Sequence, residues 1–182
     1  MTRWAMIVTA ALAASPAPAV TPLEAAAANV RLGLQLCISN GRVPEAAIAA
    51  FQAAGFSYEI EDFGGGPTDI LHWFYAPGNT AHIAVIGDPA RPECRVTTEQ
   101  FGVTHGVPFV GQVLGQLYPG FFEPGNMENT PPIVPGGANP SYRKCTGFVG
   151  WNGQRPIVIE IGNAGQDPVC VEDGTMQVMV ML

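Results

Sequence analysis

A chain of 182 residues fits one domain, or two small halves sharing a core. Hydrophobic residues make up 47% and charged residues only 13%, so a buried core is supported and disorder is the wrong default. A formal charge of −7, with 8 Lys and Arg against 15 Asp and Glu, leaves too few cations for a run of phosphates and argues against nucleic acid as a partner.

Met1 to Arg3 bring one positive charge, and "WAMIVTAALAA" is apolar yet too short to span a bilayer. Ala17 and Ala19 then fill the small positions that a signal peptidase requires. Residues 1–19 are expected to be a cleaved signal peptide, with a second candidate cleavage site in "EAAAAN". No later segment is long and apolar enough to span a membrane. The expectation is a single exported domain over 20–182, periplasmic or secreted, with no integral membrane segment after cleavage. Four cysteines in an exported chain, Cys37, Cys94, Cys145 and Cys170, point to two disulfides. Locality favours Cys37–Cys94 and Cys145–Cys170. No CxxC is present, so neither a zinc site nor a thioredoxin-like motif has support.

"TPLE" opens the first element: Thr21 as N-cap, Pro22 at the first helical position and Glu24 closing a capping box. Leu23, Ala27, Val30, Leu34, Cys37 and Ile38 fall on one helical face, and Asn40-Gly41 stops the helix. The alternation of Val30, Leu32, Leu34 and Leu36 leaves a strand open for its second half. A second helix is predicted over 43–56, with Pro44 in its first turn and Gly55 closing it. "SYEIEDFGGGPTD" reads as a loop-like segment after it. A hairpin follows, turning at Pro77-Gly78, and then a strand over 93–98.

A third helix is predicted over 107–121, again beginning Val-Pro and ending Gly-Phe. A Pro/Gly-rich loop covers 122–140, a hairpin turns at Asn152-Gly153, and "DGTMQVMVML" supplies the last strand. Two matched units emerge, 43–98 and 107–182, each a helix followed by an antiparallel meander. The echo between "HIAVIGDPARPEC" and "IVIEIGNAGQDPVC" belongs to the same match. The predicted fold is α+β: an N-terminal helix plus two helix-then-meander units, an internal duplication, with helices packed on one face of an antiparallel sheet. A two-residue turn at Asn152-Gly153 places Cys145 opposite Glu160. Cys170 on a strand beyond that one is about 9.5 Å away, too far to bridge unless it lies in a loop.

The candidate chemistry is sparse. Under the Pro77-Gly78 turn, His72 and His82 point to opposite sides of the sheet, and His105 sits beside a helix start, so no His-based metal site forms. "SYRK", Ser141 to Lys144, has a Ser-x-x-Lys spacing whose chemistry needs a helix, but it enters a strand and is rejected. The acidic group Glu59, Glu61, Asp62 and Asp69 around "GGG" is a weak candidate for calcium or general acid–base work; EF-hand spacing is absent, and a solvated strand edge running into a loop is the preferred reading. Glu160 interrupts an apolar strand and is expected to face water, opposite Ile157, Ile159 and Ile161. Trp73, Tyr75 and Trp151 are candidates for a ligand surface, since aromatic rings suit sugars and apolar ligands.

No nucleophile elbow, P-loop, dinucleotide fingerprint or zincin motif occurs, and no cofactor is implied. The leading expectation is a small exported bacterial protein, a non-catalytic module of the cell envelope that binds a protein or a small ligand. The alternative is a small secreted hydrolase or a calcium-dependent protein whose site, built from Asp62, Asp69, Glu160 or a His, is invisible in linear order.

Overall fold

The computed structural model describes residues 20–88, 90–125, 146–153, 155–163 and 172–182. The expected signal segment 1–19, Cys145, Cys170, the Ser141–Lys144 tetrapeptide and residues 126–140 of the Pro/Gly-rich loop lie outside these.

The Thr21 box is formed as its residues dictate: the Glu24 N–H donates to the Thr21 hydroxyl at 3.2 Å, and the Thr21 N–H donates to the Glu24 carboxylate at 2.9 Å. Helix α1 then runs from Pro22 to Asn40, so residues 30–36 are helical throughout and no strand forms there. Its buried stripe is Ala26, Val30, Gly33, Leu34 and Cys37, beginning a turn later than the apolar pattern implied, because Leu23 is 45% exposed. Gly41 follows with φ −65°, so it is not a left-handed stop. It is small for another reason: a Cβ there would lie 2.6 Å from the Cys37 carbonyl oxygen and 2.8 Å from Leu182 Cδ1.

Helix α2 spans Pro44–Ala53, and Gly55 at φ +87° turns the chain into strand β1 as expected. Strand β1, Ser57–Asp62, corrects the loop-like reading of that segment; only residues 63–69 are irregular, and they end in a short 3-10 turn at Pro67–Asp69. Strands β2 (Ile70–Tyr75), β3 (His82–Ile86) and β4 (Glu93–Thr98) complete the first meander.

Helix α3 covers Val103–Leu117, four residues earlier than expected, which puts Pro108 inside it instead of at its start. The two Val-Pro pairs are therefore not equivalent: Pro44 opens α2, whereas α3 opens at a Gly102 cap with no side chain to offer. The Glu172 carboxylate, 68 residues away from Thr104, accepts its N–H at 2.6 Å instead. Strands β5 (Phe122–Pro124), β6 (Thr146–Trp151), β7 (Pro156–Gly162) and β8 (Met176–Met181) follow.

The fold is α+β, with three described helices and one antiparallel sheet of eight strands in the order β1-β2-β3-β4-β8-β7-β6-β5. Both hairpin registers differ from expectation by two residues. Tyr75 pairs with His82 across a six-residue connection, and Trp151 pairs with Pro156 across four. The Cys145–Glu160 opposition is corrected accordingly, since Gly147 faces Glu160. A shift of two preserves which face each side chain occupies, so the face assignments survive.

One face, the core face, carries Phe74, Ile83, Val85, Val96, Val178, Val180, Ile159 and Ile161, all buried in a single cluster with α1, α2 and α3 residues. Cys37 of α1 and Cys94 of β4 form the expected disulfide in that core, with Cα atoms 5.7 Å apart. None of the described helices is long and apolar enough to cross a membrane.

Candidate functional site

The second face of the sheet carries a cluster of polar and aromatic residues over β1 to β4 and β8. Successive pairings align Glu59, Trp73, Ala84 and Arg95 in one row across β1 to β4, and Ser57, Tyr75, His82, Thr97 and Gln177 in the next, reaching β8. Period-2 alternation forces this sharing: in "ECRVTT", Cys94, Val96 and Thr98 take the core face and leave Glu93, Arg95 and Thr97 on the other. The rows enclose a groove of about 450 Å³ lined by Leu71, Trp73, His82, Arg95, Thr97 and Gln177.

The groove is internally bonded. The Trp73 indole N–H donates to Glu61 at 3.0 Å, and the Thr97 hydroxyl donates to the Gln177 side-chain oxygen at 3.4 Å. The His82 ring sits 5.9 Å from Trp73 and 6.4 Å from Tyr75. Burial holds the His82 imidazole below its ordinary value, against an opposing pull from Glu99. The Tyr75 phenol is raised by burial, and the neighbouring Glu59 and Glu61 carboxylates add to the shift. Arg95 bonds Glu93 along its own strand.

Two sets of sequence candidates are thus brought together: the acidic pair Glu59 and Glu61 and the aromatic pair Trp73 and Tyr75 share one face on adjacent strands. Others are not. Asp62 falls on the core-face register at the end of β1, where its carboxylate accepts the Gly64 N–H at 2.8 Å. Asp69 lines a separate recess of about 760 Å³ at one end of the sheet, together with Asp88, Arg91, Glu93 and Arg155. Trp151, 46% exposed, shares the face but lies five strand spacings from Trp73, about 24 Å.

His72 lies on the core face, where its Nδ1 is 2.9 Å from the Tyr58 hydroxyl; it cannot join His82. His105 is exposed in the first turn of α3, with its ring 5.2 Å from Phe101. Among the described residues, no group of three or more His, Cys, Asp or Glu side chains is placed to hold a metal ion. Glu160 does not face water: it is 2% exposed, on the same sheet face as the buried Val158 and Met179.

Arg95, Thr97 and Gln177 were not singled out in the sequence. Their alternation was visible, but their neighbours depend on the β4–β8 pairing, which joins segments about eighty residues apart. No family model matches this chain, and no curated protein or solved structure is significantly similar to it.

Proposed function

We propose that this chain is an exported binding module of the cell envelope or its exterior, without catalytic function, that holds its partner on the sheet face around Trp73, Tyr75 and His82. In this reading residues 1–19 are a cleaved signal and residues 20–182 form one internally duplicated domain. The strand order supports duplication: β1 to β4 meet β8 to β5 in mirror sequence, and each run of four follows a helix. Helices on one face are supported by close approaches: a Cβ at Gly33 would meet Val96 and Ile83, one at Gly106 would meet Met176, and one at Gly111 would meet Phe148. All of these strand residues belong to the core-face register. The Cys37–Cys94 disulfide supports an oxidising location.

The observation that carries the reading is the groove itself, where the Trp73 and His82 rings stand beside Arg95, Thr97 and Gln177 on strands braced by the sheet, with Glu59 and Glu61 bordering it on β1. Native mass spectrometry of the protein from its own envelope fraction, with and without chelator, is the test. A reproducible adduct should be carried by the natural chain and lost from the Trp73→Ala variant, with secondary structure unchanged by circular dichroism. An adduct retained equally by Trp73→Ala would sink the proposed site.

A further inference from the structure

We propose that strand β1 is a docking edge for an extended peptide of alternating basic and apolar residues, which adds to the sheet as a ninth, outer strand. The inference rests on the binding-module reading above and names the partner's chemistry.

Among the described residues, strand β1 ends the sheet and pairs only with β2. The Phe63 N–H donates to the Asp69 carbonyl at 3.1 Å, which makes 63 and 69 a hydrogen-bonded pair. In an antiparallel ladder such pairs alternate, so 61/71, 59/73 and 57/75 are also bonded inward. The N–H and C=O groups of Tyr58, Ile60 and Asp62 therefore point away from the sheet, a template for another strand. The opposite edge offers less: β5 has three residues and ends in Pro124, which has no N–H to give.

The side chains select the partner. Glu59 and Glu61 are exposed on the groove face, while Ile60 is 58% exposed on the core-face side, with Phe63 62% exposed just beyond. A second copy of this edge is disfavoured by those charges. Antiparallel pairing about Ile60 would set Glu59 against Glu61 twice, and parallel pairing would stack each Glu on its twin. A segment with Lys or Arg at every second residue places cations beside both carboxylates and its apolar residues beside Ile60. Carboxylates that guard an edge against acidic or identical strands leave it open to a basic one.

The test uses the purified protein and fluorescence anisotropy at low ionic strength with three labelled heptapeptides: alternating Lys and Val, alternating Glu and Val, and the Lys-Val peptide N-methylated at every second amide. The Lys-Val peptide should bind about tenfold or more tighter than the Glu-Val peptide, and N-methylation on the edge-facing side should abolish binding. Glu59→Lys with Glu61→Lys should invert the charge preference, and Ile60→Pro should remove binding of either peptide. Because Ile60→Pro can also loosen β1, the charge-reversed variant carries the decision; its thermal midpoint is checked beside the natural chain. Binding that survives N-methylation, a preference that charge reversal leaves unchanged, or self-association through β1 in sedimentation would each overturn the proposal. Absence of Lys-Val binding while the Trp73-dependent adduct persists overturns this inference alone; absence of both overturns the module reading as well.

Discussion

Helix α2 meets its strands through aromatic rings, whereas α3 meets its own through glycines. Phe51 of α2 stacks on Phe74 of β2 at 4.6 Å between centroids, with Phe56 edge-on to Phe51 at 5.3 Å and Tyr58 stacked on Phe74 at 5.3 Å. In α3, Gly106 and Gly111 bring the helix so close that Met176 and Phe148 fill the space a helix side chain would otherwise take. The same gap between helix and sheet is filled from above in one half and from below in the other. The second faces diverge too: Trp73 and His82 are half-buried in a groove with Tyr75 half-buried beside them, while Val158, Glu160 and Met179 are buried. Two runs of a helix and four antiparallel strands thus fill their helix–sheet contacts with different residues, and an activity can settle on one part of a sheet without trace in another.

The largest effect that would break this comparison comes from the aromatic side. Phe51 is fully buried, and Phe51→Ala removes a ring from the centre of the α2 contact, so a loss of about 3–5 kcal/mol is expected. Urea denaturation at constant slope measures it. A loss near 1 kcal/mol would mean that α2 re-seats on the sheet and that the stacked rings do not organise this half.

Helix α3 sharpens the comparison through a difference of sign. A Cβ at Gly106 would lie 2.0 Å from the Met176 sulfur, and Met176 is itself fully buried, so Gly106→Ala should cost about 1–3 kcal/mol by overpacking. Gly115, on the same helix, has nothing within 4 Å of such a Cβ. There Gly→Ala should stabilise by about 0.5–1 kcal/mol through helix propensity alone. Differential scanning calorimetry of the two variants decides the matter. Stabilisation by both would show that α3 does not need its close approach to β8.

These contrasts also explain what could be read from the residues in advance. The capping box of α1 and the Gly55 turn were legible because each rests on local residues, and the Cys37–Cys94 disulfide, 57 residues apart, because pairing the first two of four cysteines was the simplest connectivity. Both hairpin registers were misjudged by two residues, yet the opposed faces of His72 and His82 held, because parity outlasts a shift of two. The start of α3 was misplaced because Val107-Pro108 imitates a helix opening, while its cap comes from distant Glu172. Strand β1 was hidden by the glycines and proline that follow it. The groove and its border were half visible: Trp73 in it and Glu59, Glu61 and Tyr75 beside it stood out, but Arg95, Thr97 and Gln177 needed the β4–β8 pairing to join them. Burial of Glu160 left no local signal, since a carboxylate amid isoleucines reads as a surface position by alternation.

The smallest expected effect separates the two faces of the first meander. His72, 8% exposed beside Tyr58, and His82 in the groove are both held below their ordinary value of 6.5, chiefly by burial, against opposing pulls from Glu45 and Glu99 respectively. A depressed imidazole prefers to be neutral in the folded chain, so below pH 6.5 the unfolded chain takes up more protons than the folded one. Stability from these groups is complete above that value, declines as pH falls towards the folded values, and levels off below them. The urea midpoint should therefore drop as pH falls through about 6.5 and below, and His72→Gln and His82→Gln, neutral throughout, should each flatten part of that slope. Nuclear magnetic resonance titration of the two rings assigns the share of each. An imidazole titrating above 6.5 would reverse the sign for its own face, making its protonated form the stabilising one. For His82 that would mean the groove's carboxylates, Glu99 first among them, outweigh burial and favour a cation where the ring stands.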